Sequence, residues 1–212
     1  MRGVKWIFFD VGSTLVDETA AYGRWARDVL AGTDIPPAEF EARRRRLAEA
    51  GDPGGGAVLA CFGLPDAPWH PEEEVPFPDA VPALTELRRR GYSLGIIANQ
   101  VAGLPERLAR RGMGGLFEAI VTSADFGCQK PDPRLFEIAP HQAACRPEEA
   151  AMVGDRLDND IAPAKRLGIR TVRILQGYGA LSRPRDGWDE PDHTVSALLE
   201  LPSLFPQKGE HA

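Results

Sequence analysis

The sequence has little of what marks several large protein classes. Across 212 residues no apolar run approaches the ~20 residues that cross a bilayer, so no helical membrane span is expected. The N-terminus passes almost directly into a short apolar run with no small-residue cleavage site behind it, so no signal peptide is expected. Cysteine is scarce. Cys61, Cys128 and Cys145 are far apart and odd in number, which points to reduced thiols in a cytoplasmic setting rather than a disulfide framework. No CxxC or HExxH spacing offers a zinc site, and His70 and His193 have no partner at ligand spacing. A basic excess is also missing: the net charge of −6 argues against a general nucleic-acid binder. The locally basic run Arg43-Arg44-Arg45-Arg46 is flanked by Glu39, Glu41 and Glu49 and is expected to be a solvated helix face. There is no internal repeat and no low-complexity segment.

What is present alternates. Residues 4–9 form a short apolar run without helical spacing, the pattern of a strand buried on both faces. Helical patterns follow over 18–31 and 36–50, the second opening with two prolines and an acid in its first turn. The glycine-rich turn at 51–56 leads to a short helical piece ending near residue 62. The Pro- and acid-rich stretch 64–78 reads as an irregular linker. From residue 79 strands and helices take turns: helix 81–90, strand 92–98, helix 104–111, strand 117–122, helix 133–139, strand 150–153, helix 160–167 and strand 170–175. Strands separated by helices imply right-handed crossovers and a parallel sheet. The expected fold is therefore α/β, a Rossmann-like doubly wound parallel sheet with a small helical cap inserted after the first strand. The core would comprise residues 1–16 and 76–212, and the cap residues 17–75. Arg24 and Arg27 share one face of the first cap helix and are expected at its solvated surface.

In such sheets ligands bind beyond the carboxyl ends of the strands. Asp10 follows the first strand, Ala98 and Asn99 close the second, Lys130 lies after the third, and Asp155 follows the fourth, with Asp158 and Asp160 opening the next helix. Two like charges about 4 Å apart repel by roughly 4 kcal/mol at an effective dielectric near 20, so several carboxylates at one edge call for a cation. Hard oxygen donors favour Mg²⁺ over zinc. Lys130 could pair with Asp10 and with an anionic ligand, and a carboxylate held by metal and lysine can attack phosphorus.

The stretches FFDVGSTL at 8–15, IIAN at 96–99, QKPDPRLF at 129–136 and GDRLDNDI at 154–161 resemble the four ordered motifs of the haloacid dehalogenase superfamily of hydrolases. The insertion at 17–75 is placed like the helical cap of that family's phosphatase-like members, and DHTVSALLEL at 192–201 resembles their closing strand and helix. The resemblance implies Asp10 as nucleophile and Mg²⁺ ligand, with the Gly12 carbonyl and Asp155 as further ligands. It implies Asp160 in a supporting role, for which Asp158 competes, and Lys130 as stabiliser of an aspartyl-phosphate. It implies a small phosphorylated metabolite as substrate, bound at positions 98 and 99 and by Lys130.

Two positions depart from that pattern. Phosphatases of the family place a second aspartate two residues after the nucleophile, as general acid and base, where this sequence has Gly12. They place a hydroxyl residue before the asparagine, where it has Ala98. General acid–base catalysis contributes about 10²–10⁴ in rate, so a weakened phosphohydrolase that favours good leaving groups is expected, with Gly12→Asp restoring alkyl-ester hydrolysis. A 2-haloacid dehalogenase-like hydrolase, a phosphonate hydrolase and a catalytically impaired binding member are the alternatives. The paired acids near 155–160 weigh against the first of these, and the absence of a lysine from 17–75 against the second.

Overall fold

The computed structural model describes residues 1–209, so the last three residues assigned to the core lie outside the described ones. The chain begins with β1 (Trp6–Phe9), whose Ile7, Phe8 and Phe9 are fully buried. Alternate side chains enter opposite layers. Ile7 and Phe9 join a cluster with Ala83, Leu84 and Leu87, whereas Phe8 packs with Leu135, Phe136 and Ala139. A strand apolar on both faces cannot sit at a surface, and β1 accordingly lies inside the sheet.

After β1 come β2 (Val16–Asp17), α1 (Thr19–Leu30), α2 (Pro37–Glu49), α3 (Gly55–Phe62) and β3 (Val75–Pro76). The two short strands pair antiparallel and form a stem that brackets the helices. Those helices carry a separate small core of Trp25, Val29, Phe40, Val58 and Leu59, with Arg24 and Arg27 exposed. Then follow α4 (Ala80–Arg89), β4 (Ser93–Ala98), α5 (Leu104–Arg110), β5 (Ala119–Thr122), α6 (Ser123–Phe126), α7 (Pro133–Gln142), β6 (Ala150–Gly154), α8 (Ala162–Arg166), β7 (Arg170–Ile174), β8 (His193–Val195) and α9 (Leu201–Leu204). The sheet order is β5-β4-β1-β6-β7-β8, with every neighbouring pair parallel. Residues of α4, α5 and α9 cover one face, and those of α7 and α8 the other. The fold is α/β, Rossmann-like, with a parallel sheet between helical layers. The chain winds outward from β1 in both directions, so β1 is the switch point and its carboxyl end opens a crevice.

Three local expectations change. The linker 64–78, expected to lack regular structure, contains β3, and side chains tie it down: Trp69 Nε1 donates to Glu74 at 2.7 Å, Glu74 ion-pairs with Arg111 at 2.9 Å, and His70 meets Asp28 at 2.7 Å. Such ties run through side chains and leave no backbone periodicity. In the arginine run, Arg44 is only 2% exposed. Four consecutive helical residues sweep a full turn, so one of them must face inward. The Arg44 guanidinium lies 3.7 Å from the Tyr22 ring centroid and 3.8 Å from that of Tyr178, and the two π-faces compensate a desolvated cation. Finally, the helix expected over 160–167 is preceded by a wide turn over 157–161. There the amides of Ile161 and Ala162 donate five residues back, to Arg156 and Leu157.

Candidate active site

The parallel register brings the predicted side chains to one edge. Asp10 leaves β1, Asn99 leaves β4, Asp155 leaves β6, and Lys130 lies in the loop before α7, where Asp132 caps the helix by accepting from the Arg134 amide. Lys130 Nζ donates to Asp10 Oδ1 and to Asp160 Oδ1, both at 2.6 Å, in a site where Lys130 and Asp155 are 4% and Asp160 1% exposed. Oxygens of Asp10, Asp155 and Asp160 all lie within 4.8 Å of one another.

Neighbouring backbone holds these groups in place. Asn99 Oδ1 accepts from the Lys130 amide at 2.7 Å and Asn99 Nδ2 donates to the Lys130 carbonyl at 3.0 Å, so the asparagine clamps the lysine's backbone. The Arg156 amide donates to Asp160 Oδ2 at 3.0 Å. Glycine is required at two approaches. A Cβ on Gly154 would stand 2.4 Å from Asp160 Oδ2, and one on Gly179 would stand 2.2 Å from Asp155 Oδ2.

Three carboxylates face one ammonium, and the protonation energetics reflect the imbalance. Burial, then the charges of Asp160 and Asp10, push the Asp155 carboxyl well above the ordinary range. Burial raises Asp160 to about 6 against the opposing pull of Lys130. Burial alone would lower Lys130, but Asp10 and Asp160 outweigh it and hold the ammonium above its usual value. Asp155 has no ion-pair partner among the described residues. An oxygen-only donor set with a buried carboxylate that has no ion-pair contact fits a hard divalent cation.

Other expected positions differ. Asp158 turns away from the cluster and pairs with Arg156 at 2.6 Å, because the wide turn directs only Asp160 inward. The Ala98 methyl is fully buried in the core cluster, so the pocket wall at that strand end comes from Asn99 and Gln100. Gly12 lines the pocket, yet the space beside it is not free: a Cβ there would stand 2.4 Å from Glu18 Oε1. An Asp at residue 12 would compete with the Glu18 carboxyl for one volume, so Gly12→Asp requires Glu18 to move.

The pocket, about 190 Å³, also contains residues that sequence reasoning missed: Glu18, Tyr22, Arg156, Tyr178 and Gly179. Glu18 Oε2 accepts from Ser13 Oγ at 2.9 Å. Burial pushes its carboxyl up to about 8, opposed by the Ser13 hydrogen bond and reinforced by Asp10. The segment Gly177-Tyr178-Gly179 follows the carboxyl end of β7, a signal that strand-end reasoning could have used. Tyr22, Glu18, Ser13 and Tyr178 also wall a second cavity of about 580 Å³ that extends under α1 and α2 toward Arg44.

A doubly wound sheet, an acid–lysine cluster at its switch point and a helical insertion over it define a hydrolase-like α/β class. The chain belongs to the haloacid dehalogenase-like hydrolase family, whose model matches residues 4–168. It is similar to the phosphoserine phosphatase of Thermus thermophilus, 34% identical over 88% of this chain and 74% of that one. It is also similar to the glyceraldehyde 3-phosphate phosphatase of Methanopyrus kandleri, 40% identical over 59% of this chain, a match that spans only 54% of that relative's length. Among solved structures, a HAD phosphatase from Thermococcus onnurineus matches with a TM-score of 0.68 at 24% identity, covering 96% of this chain and 99% of that one. A 2-haloacid dehalogenase from Pseudomonas syringae matches with a TM-score of 0.62 at 24% identity, covering 95% and 97%. At these identities the structural likeness is one of fold, and the fold serves both chemistries.

Proposed function

We propose that the protein is a Mg²⁺-dependent phosphohydrolase of small phosphorylated metabolites that works through an aspartyl-phosphate on Asp10. The carrying observation is the buried Lys130 shared by Asp10 and Asp160 beside the unpaired Asp155 at the β1 switch point. The phosphatase names of relatives at 34% and 40% identity support the substrate class. Asp10 and Asp155, with the Gly12 carbonyl, would hold Mg²⁺, which when bound supplies charge neutralisation for the phosphoryl group, and Asp160, whose two oxygens accept from Lys130 and from the Arg156 amide, would support them. Asp10 attacks phosphorus, and Lys130 stabilises the charge that builds on the transferring oxygens. Asn99 keeps Lys130 in place by gripping its backbone. The helical segment between residues 17 and 75 acts as a cap that shapes the substrate chamber, and the free thiols of Cys61, Cys128 and Cys145 suit a reducing cytoplasm.

The dehalogenase-like alternative is weaker on this geometry. A haloacid reaction offers no phosphoryl charge to neutralise, whereas three convergent acids, of which Asp155 has no ion-pair contact among the described residues, suit a metal. The test is hydrolysis of acetyl phosphate, O-phosphoserine and glyceraldehyde 3-phosphate with and without Mg²⁺. Turnover is expected only with Mg²⁺ and is lost in Asp10→Asn. Inertness toward every phosphate, or chloride release from a 2-haloacid without metal, would overturn the reading.

A further inference from the structure

We infer that Glu18 supplies the acid–base carboxylate of this site, delivered from the foot of the cap into the space that Gly12 leaves open. The inference rests on the phosphohydrolase reading and adds a residue to it.

Position carries the argument. A Cβ built on Gly12 would lie 2.4 Å from Glu18 Oε1, 2.6 Å from its carboxyl carbon and 2.8 Å from Oε2. The whole carboxyl group therefore occupies the volume that a side chain at residue 12, two positions after the nucleophile, would fill. Glu18 lines the same pocket as Asp10, Lys130 and Asp155. It begins α1 yet makes no capping bond to it; the adjacent Asp17 instead accepts from the Thr19 amide at 2.8 Å. An acid at a helix start is ordinarily spent on the helix amides. Here it turns into the pocket.

A second observation concerns what aims it. Ser13 has φ of 51°, in the left-handed region that non-glycine residues seldom adopt, and its Oγ donates to Glu18 Oε2 at 2.9 Å. A Cβ on the facing Gly177 would stand 2.4 Å from that same Oγ, so both neighbours leave room for the arrangement. Oε1 has no hydrogen-bond partner among the described residues. One oxygen is held and the other is available for chemistry.

The proton accounting closes. As Asp10 oxygen bonds to phosphorus and the ester P–O bond breaks, the departing oxygen keeps the bonding pair and takes the proton of the Glu18 carboxyl, leaving as alcohol. The Glu18 carboxylate then removes a proton from water as the water oxygen bonds to phosphorus. The Asp10–phosphorus bond breaks, which releases phosphate and restores both starting groups.

Acetyl phosphate separates the two halves, because acetate leaves without needing a proton. Full-length protein with Mg²⁺ and acetyl phosphate is quenched in acid and its intact mass measured. Glu18→Gln is expected to gain the mass of one phosphoryl group, which wild type does not accumulate and which Asp10→Asn abolishes. Its hydrolysis of O-phosphoserine should fall by about 10²–10⁴. The double variant Gly12→Asp/Glu18→Ala, which moves the carboxylate back to residue 12, should recover alkyl-ester hydrolysis, whereas Gly12→Asp alone should not exceed wild type. A role of Glu18 confined to holding Ser13 would give no trapped phosphoenzyme. Glu18→Gln that clears its phosphoenzyme and hydrolyses O-phosphoserine within about tenfold of wild type would overturn the inference and leave the phosphohydrolase reading standing. Wild type that is neither phosphorylated nor active with Mg²⁺ would overturn both.

Discussion

On the core side of the pocket, Asp10, Asn99, Asp155 and Lys130 stand just beyond strand ends or in the loop before a helix, where Asn99 clamps the Lys130 backbone and Lys130 holds Asp10. On the side of the helical insertion, Tyr22 reaches in from α1, and Arg44, in the adjoining cavity, lies between the ring faces of Tyr22 and Tyr178, with Nε and Nη2 lacking a hydrogen-bond partner among the described residues. The core half is an electrostatic device with little freedom. The other half is a packed surface whose cation lies between two ring faces. On the proposed function, chemistry would belong to the first and selection among substrates to the second, with Glu18 next to the stem strand β2.

The sharpest way to break this contrast is at Lys130. Lys130→Met leaves Asp10 and Asp160 buried without their cation, and removing one partner of a buried ion pair costs about 3–5 kcal/mol. Urea unfolding without metal should show that loss, Mg²⁺ should recover part of it, and phosphatase turnover should vanish. A variant as stable as wild type without metal would mean that the cluster is not the charged device described.

Arg44→Met should have a smaller and differently distributed effect. It removes two cation–π contacts worth about 1–2 kcal/mol in all, and on the cap side it should raise KM more than it lowers kcat. Arg44→Lys should not rescue it, because an ammonium lacks the planar face that stacks between two rings. A pure kcat loss would move Arg44 into the chemical half. Asn99→Ala sharpens the opposite side: two hydrogen bonds to the Lys130 backbone disappear, about 1–3 kcal/mol, and kcat should fall with KM nearly unchanged.

The smallest effect concerns the linker that returns from the cap. Hydrogen bonds donated to Asp28 and then to Glu72 raise the His70 imidazole above 6.5. A raised histidine contributes stability that is complete below 6.5 and is lost as pH rises through its higher folded value. The melting temperature of wild type should thus decline slightly more than that of His70→Gln over that interval. Parallel profiles would show that the tie to α1 carries no proton-linked stability.

The same contrast explains what could be read from residues alone. β1 and the parallel character of the sheet were legible because a strand buried on both faces and a regular alternation leave little topological freedom, whereas the order of the strands was not legible. Asp10, Lys130 and Asp155 were legible because strand ends in a parallel sheet converge. The resemblance favours Asp160 over Asp158 for the supporting role, but the wide turn that points one inward and the other toward Arg156 has no residue signature. Arg44 looked solvated because its aromatic partners lie 22 and 134 positions away in the chain, numbers 22 and 178 against 44. Glu18 was missed for a related reason: a glycine reads as an empty place until its neighbour in space is known.

The most direct measurement is a crystal structure of the wild-type protein with Mg²⁺ and beryllium fluoride, a mimic of a phosphorylated carboxylate. The account predicts the fluoride group on the Asp10 carboxylate with Lys130 against it, Mg²⁺ held by Asp10 and Asp155, and the Glu18 carboxyl facing the group from beside Gly12. Mg²⁺ bound elsewhere, or a fluoride group that leaves Asp10 unmodified, would contradict it.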